Sequence, residues 1–334
     1  MPDRPPPIRY LSAVDVESAM PPVAERLRLA ERTLVALADG TGELPPKIGV
    51  HPRAAASFGH AMPARLAGDR DDGRDDLLGA KWVVGFPTNG PAGLRTIHAT
   101  VVLNDPRYGW PVAILDGAPV TAQRTAAVSG VATARWAPQR DRPLRVAIIG
   151  AGVQGRAHHA VLGHVLPDCR LRIFDRHRER AAALAELASA TTGIAAAETA
   201  DDARTAIADA DVVVTCASFA PADQRQVMPG SWLAADALVV PVDYATYCSA
   251  EVARSAAAFL VDERAQFLAN RDAAAFDDYP DPAATFGEAI LTGLPRPDGV
   301  VVAMHLGVGL ADVVFGAAIL ATARERGIGL DLEQ

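Results

Sequence analysis

The segment RVAIIGAGVQGRAHHAV, residues 145–161, constrains this chain more than any other stretch. Its apolar run Val146 to Ile149 reads as a buried parallel strand, the glycines end that run, and Gln154 to Leu166 can continue as a helix. Strand, glycine turn and helix in that order are the context that gives Gly150-x-Gly152-x-x-Gly155 a meaning. Gly150 permits the tight turn, Gly152 lets the backbone approach a pyrophosphate, and Gly155 lets the helix pack against the strand. The helix start, with Val153 and Gln154 in its first turn, offers N–H groups and a positive dipole end to phosphates.

A second strand, Leu171 to Phe174, ends in Asp175, twenty residues beyond Gly155. A dinucleotide fold places there the acid that binds a ribose hydroxyl. A carboxylate at this point repels a 2′-phosphate and favours NAD. Arg176 and Arg178 follow at once, and such cations either hold that phosphate, which keeps NADP open, or begin a solvated helix.

At 334 residues the chain is long enough for two domains with proper cores. Half of the residues are hydrophobic, and the formal charge is -8 without a lysine- or arginine-rich run. Nucleic acid and anionic membranes are therefore not expected partners. Cys169, Cys216 and Cys248 are odd in number and lack ligand-like spacing, so reduced buried thiols in a cytoplasmic protein, and no metal, are expected. The N-terminus has no apolar core of signal-peptide length, and GLADVVFGAAILATA reads as a packed helix ending at Gly327, not a membrane span. Asp312 within it is open between a core or interface acid and a cofactor-side residue.

The texture changes near residue 125. Before it, KWVVGFPTN, TIHATVVLND and PVAILDG read as short strands of an antiparallel sheet, with the charged stretch 65–76 as an exposed hairpin tip or loop. After it, RVAIIG, RLRIFD, DVVVTCAS, ALVVPVD, AFLVDE and VVAMHLG alternate with Ala-rich helices, which means a parallel sheet covered on both faces. Such a sheet binds its ligand beyond the carboxyl ends of its strands. Ala217, Ser218, Asp243 and His305 to Gly307 fall at those ends.

Several pieces together resemble the ornithine cyclodeaminase and mu-crystallin family: AMPA (61–64), GAKWVVGFPTN (79–89), LNDPRYGWPVAILDG (103–117), TAQRTAAVSGVA (121–132), GAGVQGRAH (150–158) and GVGLADVVFGAAILATARERGIG. The resemblance implies an α/β chain: a central Rossmann-type doubly wound parallel sheet, residues 126–308, plus an α+β substrate-binding and dimerisation domain from both chain termini, residues 1–125 with 309–334. It also implies a homodimer that binds NAD or NADP and works on a small carboxylate-bearing amino or imino acid.

Position by position, Lys81 resembles the family lysine beside the substrate carboxylate and the reacting carbon, where an ammonium stabilises charge or exchanges a proton. Arg124 matches the arginine that clamps the carboxylate with its bidentate fork. Met62, in the AMPA motif, joins this substrate set. Asp243 falls where cyclodeaminases carry an acid near a distal amine, and a strand-end cap is its other reading. Thr125 either binds cofactor phosphate or is a helix-start hydroxyl. Two positions depart from the pattern: Lys47 stands where many members have arginine, and His60 where ornithine cyclodeaminases have glutamate. A histidine attracts a distal ammonium weakly, so His60 is a proton donor, a reader of a second carboxylate, or structural. The expected activity is thus an NAD(P)-dependent imine or ketimine reductase or amino acid dehydrogenase. The alternatives are an ornithine or lysine cyclodeaminase using catalytic NAD, and a nucleotide-dependent binder of small molecules like mu-crystallin.

Overall fold

The structure, a computed structural model, describes residues 4–53, 56–276 and 278–334. The chain divides into two compact units, residues 1–124 with 308–334 and residues 125–307.

The first unit is built on a sheet in the order Leu330–Leu332, Ile8–Leu11, Pro111–Asp116, Ile97–Asn104, Leu77–Gly85, Phe58–Leu66, Gly42–Glu43, and Ile48–Val50 also pairs with Phe58–Leu66. All pairings are antiparallel except that of Ile8–Leu11 with Pro111–Asp116. The charged stretch forms the loop between Phe58–Leu66 and Leu77–Gly85. Period-two alternation decides which side chains are sealed. Met62 lies opposite Lys81, and Lys81 opposite Val101, so all three share one face, and all three are buried. Trp82, one residue on, points to the other face and is 44% exposed. Helices Val23–Asp39 and Gly309–Arg326 pack against each other, and Gly309–Arg326 also packs on the three long central strands. Gly327 ends this last helix in the left-handed conformation that a glycine cap adopts.

The second unit holds eight parallel strands in the order Ile194–Thr199, Cys169–Phe174, Arg145–Ile149, Val212–Thr215, Leu238–Pro241, Val301–Met304, Ala258–Val261, Ala284–Thr285. The four residues of Val212–Thr215, Leu238–Pro241, Ala258–Val261 and Val301–Met304 are all buried, as expected for strands covered on both faces. Strand order reverses between Arg145–Ile149 and Val212–Thr215, which puts the ligand crevice of such a sheet beyond their carboxyl ends. The helix from the glycine motif runs Val153–Val165, and the three cysteines are free and buried. Among the described residues, no helix is long and apolar enough to cross a membrane and no group of His, Cys, Asp or Glu is arranged to hold a metal.

Candidate functional site

Lys81, Arg124 and Asp312 come together inside the first unit although they are far apart in sequence. Lys81 Nζ lies 2.6 Å from Asp312 Oδ2, and Arg124 Nε lies 3.2 Å from Asp312 Oδ1. Lys81 is 2% exposed, Arg124 5% and Asp312 0%. Lys81 is thus a buried residue in the middle of the strand Leu77–Gly85, and Arg124 a buried residue of the helix Gly117–Trp136. While Lys81 is protonated, two cations against one carboxylate give this buried cluster a net positive charge, which favours an anion. Burial, and then the neighbouring Arg124 guanidinium, push the Lys81 pKa down to about 7, while Asp312 pulls in the opposite direction. An amine in that range can give or take a proton near neutral pH. Arg124 reaches Asp312 through Nε, so the Nη pair of its fork is not used in that contact.

Met62 and His60 lie on the face of the sheet that carries Lys81, by the registers Met62 opposite Lys81 and His60 opposite Val83. The half-buried His60 ring stacks on Phe58, with ring centroids 4.6 Å apart. Its pKa falls to about 4, through burial first and then the positive charges of Lys47, His51 and Lys81. The ring is thus neutral at physiological pH. Lys47 immediately precedes the strand Ile48–Val50, whose Gly49 faces His60.

The second unit carries the glycine turn. Gly150 has φ +106°, and a Cβ there would lie 2.6 Å from the Cys216 carbonyl oxygen. At Gly155 a Cβ would lie 2.1 Å from the Gly150 carbonyl oxygen, so the turn requires both glycines. A Cβ on Gly152, by contrast, meets nothing within 4 Å. Protein packing does not demand that glycine, and the open space beside it suits a phosphate laid against the backbone. Val153, the first helical residue, is 70% exposed, and Gln154 Oε1 is buried without a hydrogen-bond partner among the described residues. Open space, unmasked helix N–H groups and an orphaned acceptor fit a bound dinucleotide.

Asp175 ends its strand and is fastened to the turn. Its Oδ2 accepts from the Ala151 N–H at 2.8 Å and its Oδ1 from the His177 N–H at 2.8 Å. Arg176 is exposed, and Arg178 pairs with Asp201 at 3.2 Å on the surface. Asp243 is buried. Its Oδ1 accepts from Thr215 Oγ1 at 2.7 Å and its Oδ2 from the Ala217 N–H at 3.1 Å. Burial raises its pKa to about 7 against the effect of those hydrogen bonds. Ser218 is exposed beyond this strand end, and His305 is buried at the end of Val301–Met304. Thr125 is buried in the interior of the helix Gly117–Trp136, which corrects its reading as a helix-start hydroxyl.

The structure settles the place of Asp312, which sequence spacing left open. It stands in the first turn of Gly309–Arg326 as the counter-ion of Lys81 and Arg124. The available signal was an acid inside an otherwise apolar helix, since such a group is retained only when paired. Thr215 and Asp262 also escaped notice. Asp262, buried beyond Ala258–Val261, accepts from the N–H groups of Leu306 and Gly307 at 3.0 and 2.7 Å, and so anchors the turn after His305.

A mixed sheet fed by both termini, a doubly wound parallel sheet with a dinucleotide-type glycine turn, and a buried Lys–Asp–Arg cluster define a two-unit α/β protein. The sequence profile of the Ornithine cyclodeaminase/mu-crystallin family matches residues 8–291, and the chain belongs to that family. It is 34% identical to the nodulation efficiency protein NfeD of Rhizobium meliloti, across 97% of this chain and 98% of that protein. It is 35% identical to the Delta(1)-pyrroline-2-carboxylate reductase of Bacillus cereus over 42% of each chain. The Thermococcus litoralis Delta(1)-pyrroline-2-carboxylate reductase, solved with NADH and L-proline, shares the fold with a TM-score of 0.80 at 24% identity, covering 97% of this chain and 100% of that one.

Proposed function

We propose that the chain is an NAD-dependent oxidoreductase acting on the C–N bond of a small amino or imino acid, in the direction of imine reduction. The observation that carries this reading is the buried Lys81–Asp312–Arg124 cluster, with an amine whose pKa of about 7 suits proton transfer near neutrality. The first unit, residues 1–125 with 309–334 in functional terms, is the substrate and dimerisation domain, and residues 126–308 are the dinucleotide domain. Partial likeness to a pyrroline-carboxylate reductase supports a cyclic or open-chain 2-imino acid as substrate.

In this reading Arg124 binds the substrate carboxylate and Met62 supplies an apolar wall. Lys81, as ammonium, gives a proton to the imine nitrogen, and Asp312 holds its Nζ in place. The reduced nicotinamide, when bound, supplies the hydride to the imine carbon, so one hydride and one proton convert C=N into CH–NH. Gly150, Gly152, Val153, Gln154 and Gly155 hold the pyrophosphate with Thr125. Asp175 takes the ribose hydroxyls and favours NAD over NADP, with the exposed Arg176 next to it in sequence. Ala217, Ser218, Asp243 and His305 line the nicotinamide side, where Asp243 holds a proton near neutrality. Lys47 adds positive charge beside His60.

Cyclodeamination needs an acid for the distal ammonium. Asp312 is already engaged by two cations, His60 is a neutral ring, and the buried Asp243 accepts from Thr215 and Ala217 with its pKa raised to about 7, so these residues favour reduction. The exposed sheet face around Trp82, with a shallow cavity of about 240 Å³ lined by Val84, His98, Thr100 and Asp116, supports a homodimer through this surface. A cytoplasmic location is the reading that the three free, buried cysteines support. Arg124→Ala tests the assignment: KM for the imino acid is expected to rise about tenfold to a hundredfold with NADH affinity unchanged. Equal losses for substrate and cofactor contradict it.

A further inference from the structure

Ser129, His158 and His305 form a hydrogen-bonded chain inside the second unit. Ser129 comes from the helix Gly117–Trp136, His158 from the second turn of Val153–Val165, and His305 from the first position beyond the strand Val301–Met304. All three are buried. His158 Nδ1 lies 2.6 Å from the Gln154 carbonyl oxygen and His158 Nε2 2.8 Å from Ser129 Oγ. Ser129 Oγ in turn lies 2.8 Å from His305 Nε2.

Hydrogen-bond valence sets the direction of this chain. A carbonyl oxygen only accepts, so His158 Nδ1 carries a proton. Burial lowers the His158 pKa to about 4, so the ring is neutral near pH 7 and its Nε2 is a bare acceptor. The Ser129 hydroxyl has one proton and donates it to that acceptor. In the remaining contact, His305 Nε2–H donates to Ser129 Oγ.

Both ends of the chain belong to the ligand edge of the sheet. Gln154 lies in the first turn of the helix that follows the glycine turn, and the backbone after His305 is held by Asp262 through Leu306 and Gly307. Asp175 ends a strand on one side of Arg145–Ile149, and His305 follows a strand three places away on the other side. A dinucleotide stretched across this edge with its adenosine ribose at Asp175 puts its nicotinamide half on the His305 side.

We infer that Ser129 and His158 are positioning residues for the cofactor, holding His305 in a single tautomer, Nε2–H toward Ser129, and tying it to the first turn of the glycine-motif helix. The inference deepens the dinucleotide reading above and rests on it. A histidine that exchanges tautomers offers its surroundings a donor at one moment and an acceptor at the next. One locked by a buried hydroxyl offers a single pattern, and the nicotinamide half is then bound in a single way.

The test is binding of NADH and of ADP-ribose, which lacks the nicotinamide, to wild type, Ser129→Ala and Ser129→Thr, with ¹⁵N-histidine NMR of the same proteins. Ser129→Ala is expected to weaken NADH about tenfold and to leave ADP-ribose unchanged, while Ser129→Thr, which keeps the hydroxyl, restores NADH binding. In wild type the His305 ring is expected as the Nε2–H tautomer, with signals that shift on adding NADH and not ADP-ribose. Equal weakening of both ligands, no change in either, or a His305 protonated at Nδ1 overturns the inference. If Ser129→Ala fails to fold, the wild-type tautomer and its response to NADH decide the matter. A wild-type protein that binds neither ligand overturns the dinucleotide reading instead.

Discussion

Lys81 Nζ lies 2.6 Å from Asp312 Oδ2, and both groups are sealed from water. The strand Leu77–Gly85 supplies the amine and the first turn of Gly309–Arg326 supplies the acid, so the pair exists only in the folded unit. Burial and the neighbouring Arg124 guanidinium lower the Lys81 pKa to about 7, against the opposing pull of this pair.

In the proposed imine reduction the ammonium form of Lys81 is the proton donor. Its fraction falls as pH rises through about 7, so the reductive kcat is expected to fall over that range, and oxidation of the amino acid to rise. Lys81→Arg keeps a cation beside Asp312 but does not titrate there. It is expected to lower kcat about a hundredfold and to remove that limb of the pH profile. A variant that retains the wild-type profile contradicts the role given to Lys81.

Asp312→Asn leaves Lys81 and Arg124 buried together without a counter-ion. Removing one partner of a buried pair costs about 3–5 kcal/mol. Denaturant unfolding is expected to show a loss of that size, and a change below about 1 kcal/mol would mean that water reaches the cluster.

Gly150 and Gly152 separate folding from binding. Gly150→Ala introduces a Cβ 2.6 Å from the Cys216 carbonyl oxygen at a positive φ, and a clear drop in Tm is expected. Gly152→Ala meets no atom within 4 Å. Its Tm is expected to match wild type while NADH affinity falls tenfold or more, by about 1.4 kcal/mol. Unchanged affinity would remove Gly152 from the phosphate site.

Asp175→Ala removes the carboxylate that repels a 2′-phosphate, and the ratio of NADPH to NADH affinity is expected to rise. The same change releases the Ala151 and His177 N–H groups, so NADH itself is expected to bind more weakly. An unaltered ratio would show that discrimination lies elsewhere.

Much of the nucleotide-type sheet was legible because its central strands are short apolar runs that end at glycine, aspartate or serine. The outer strand Ile194–Thr199 escaped because only Ile194 is buried, and an Ala-rich edge has no apolar run to mark it. Lys81 and Arg124 were legible through family resemblance and local motif, whereas their counter-ion was not. Asp312 lies 231 residues from Lys81 and 188 from Arg124, and no local pattern encodes that meeting. His158 was hidden for a related reason: one helical histidine looks like another until burial removes its charge.

Reduction and cyclodeamination are told apart by following the NADH absorbance band of purified protein supplied with NADH and a panel of cyclic and open-chain 2-imino acids. NADH is expected to be oxidised in step with the imine reduced, fastest below about pH 7. No net oxidation with any imine, together with ammonia released from ornithine or lysine in the presence of catalytic NAD, would contradict it.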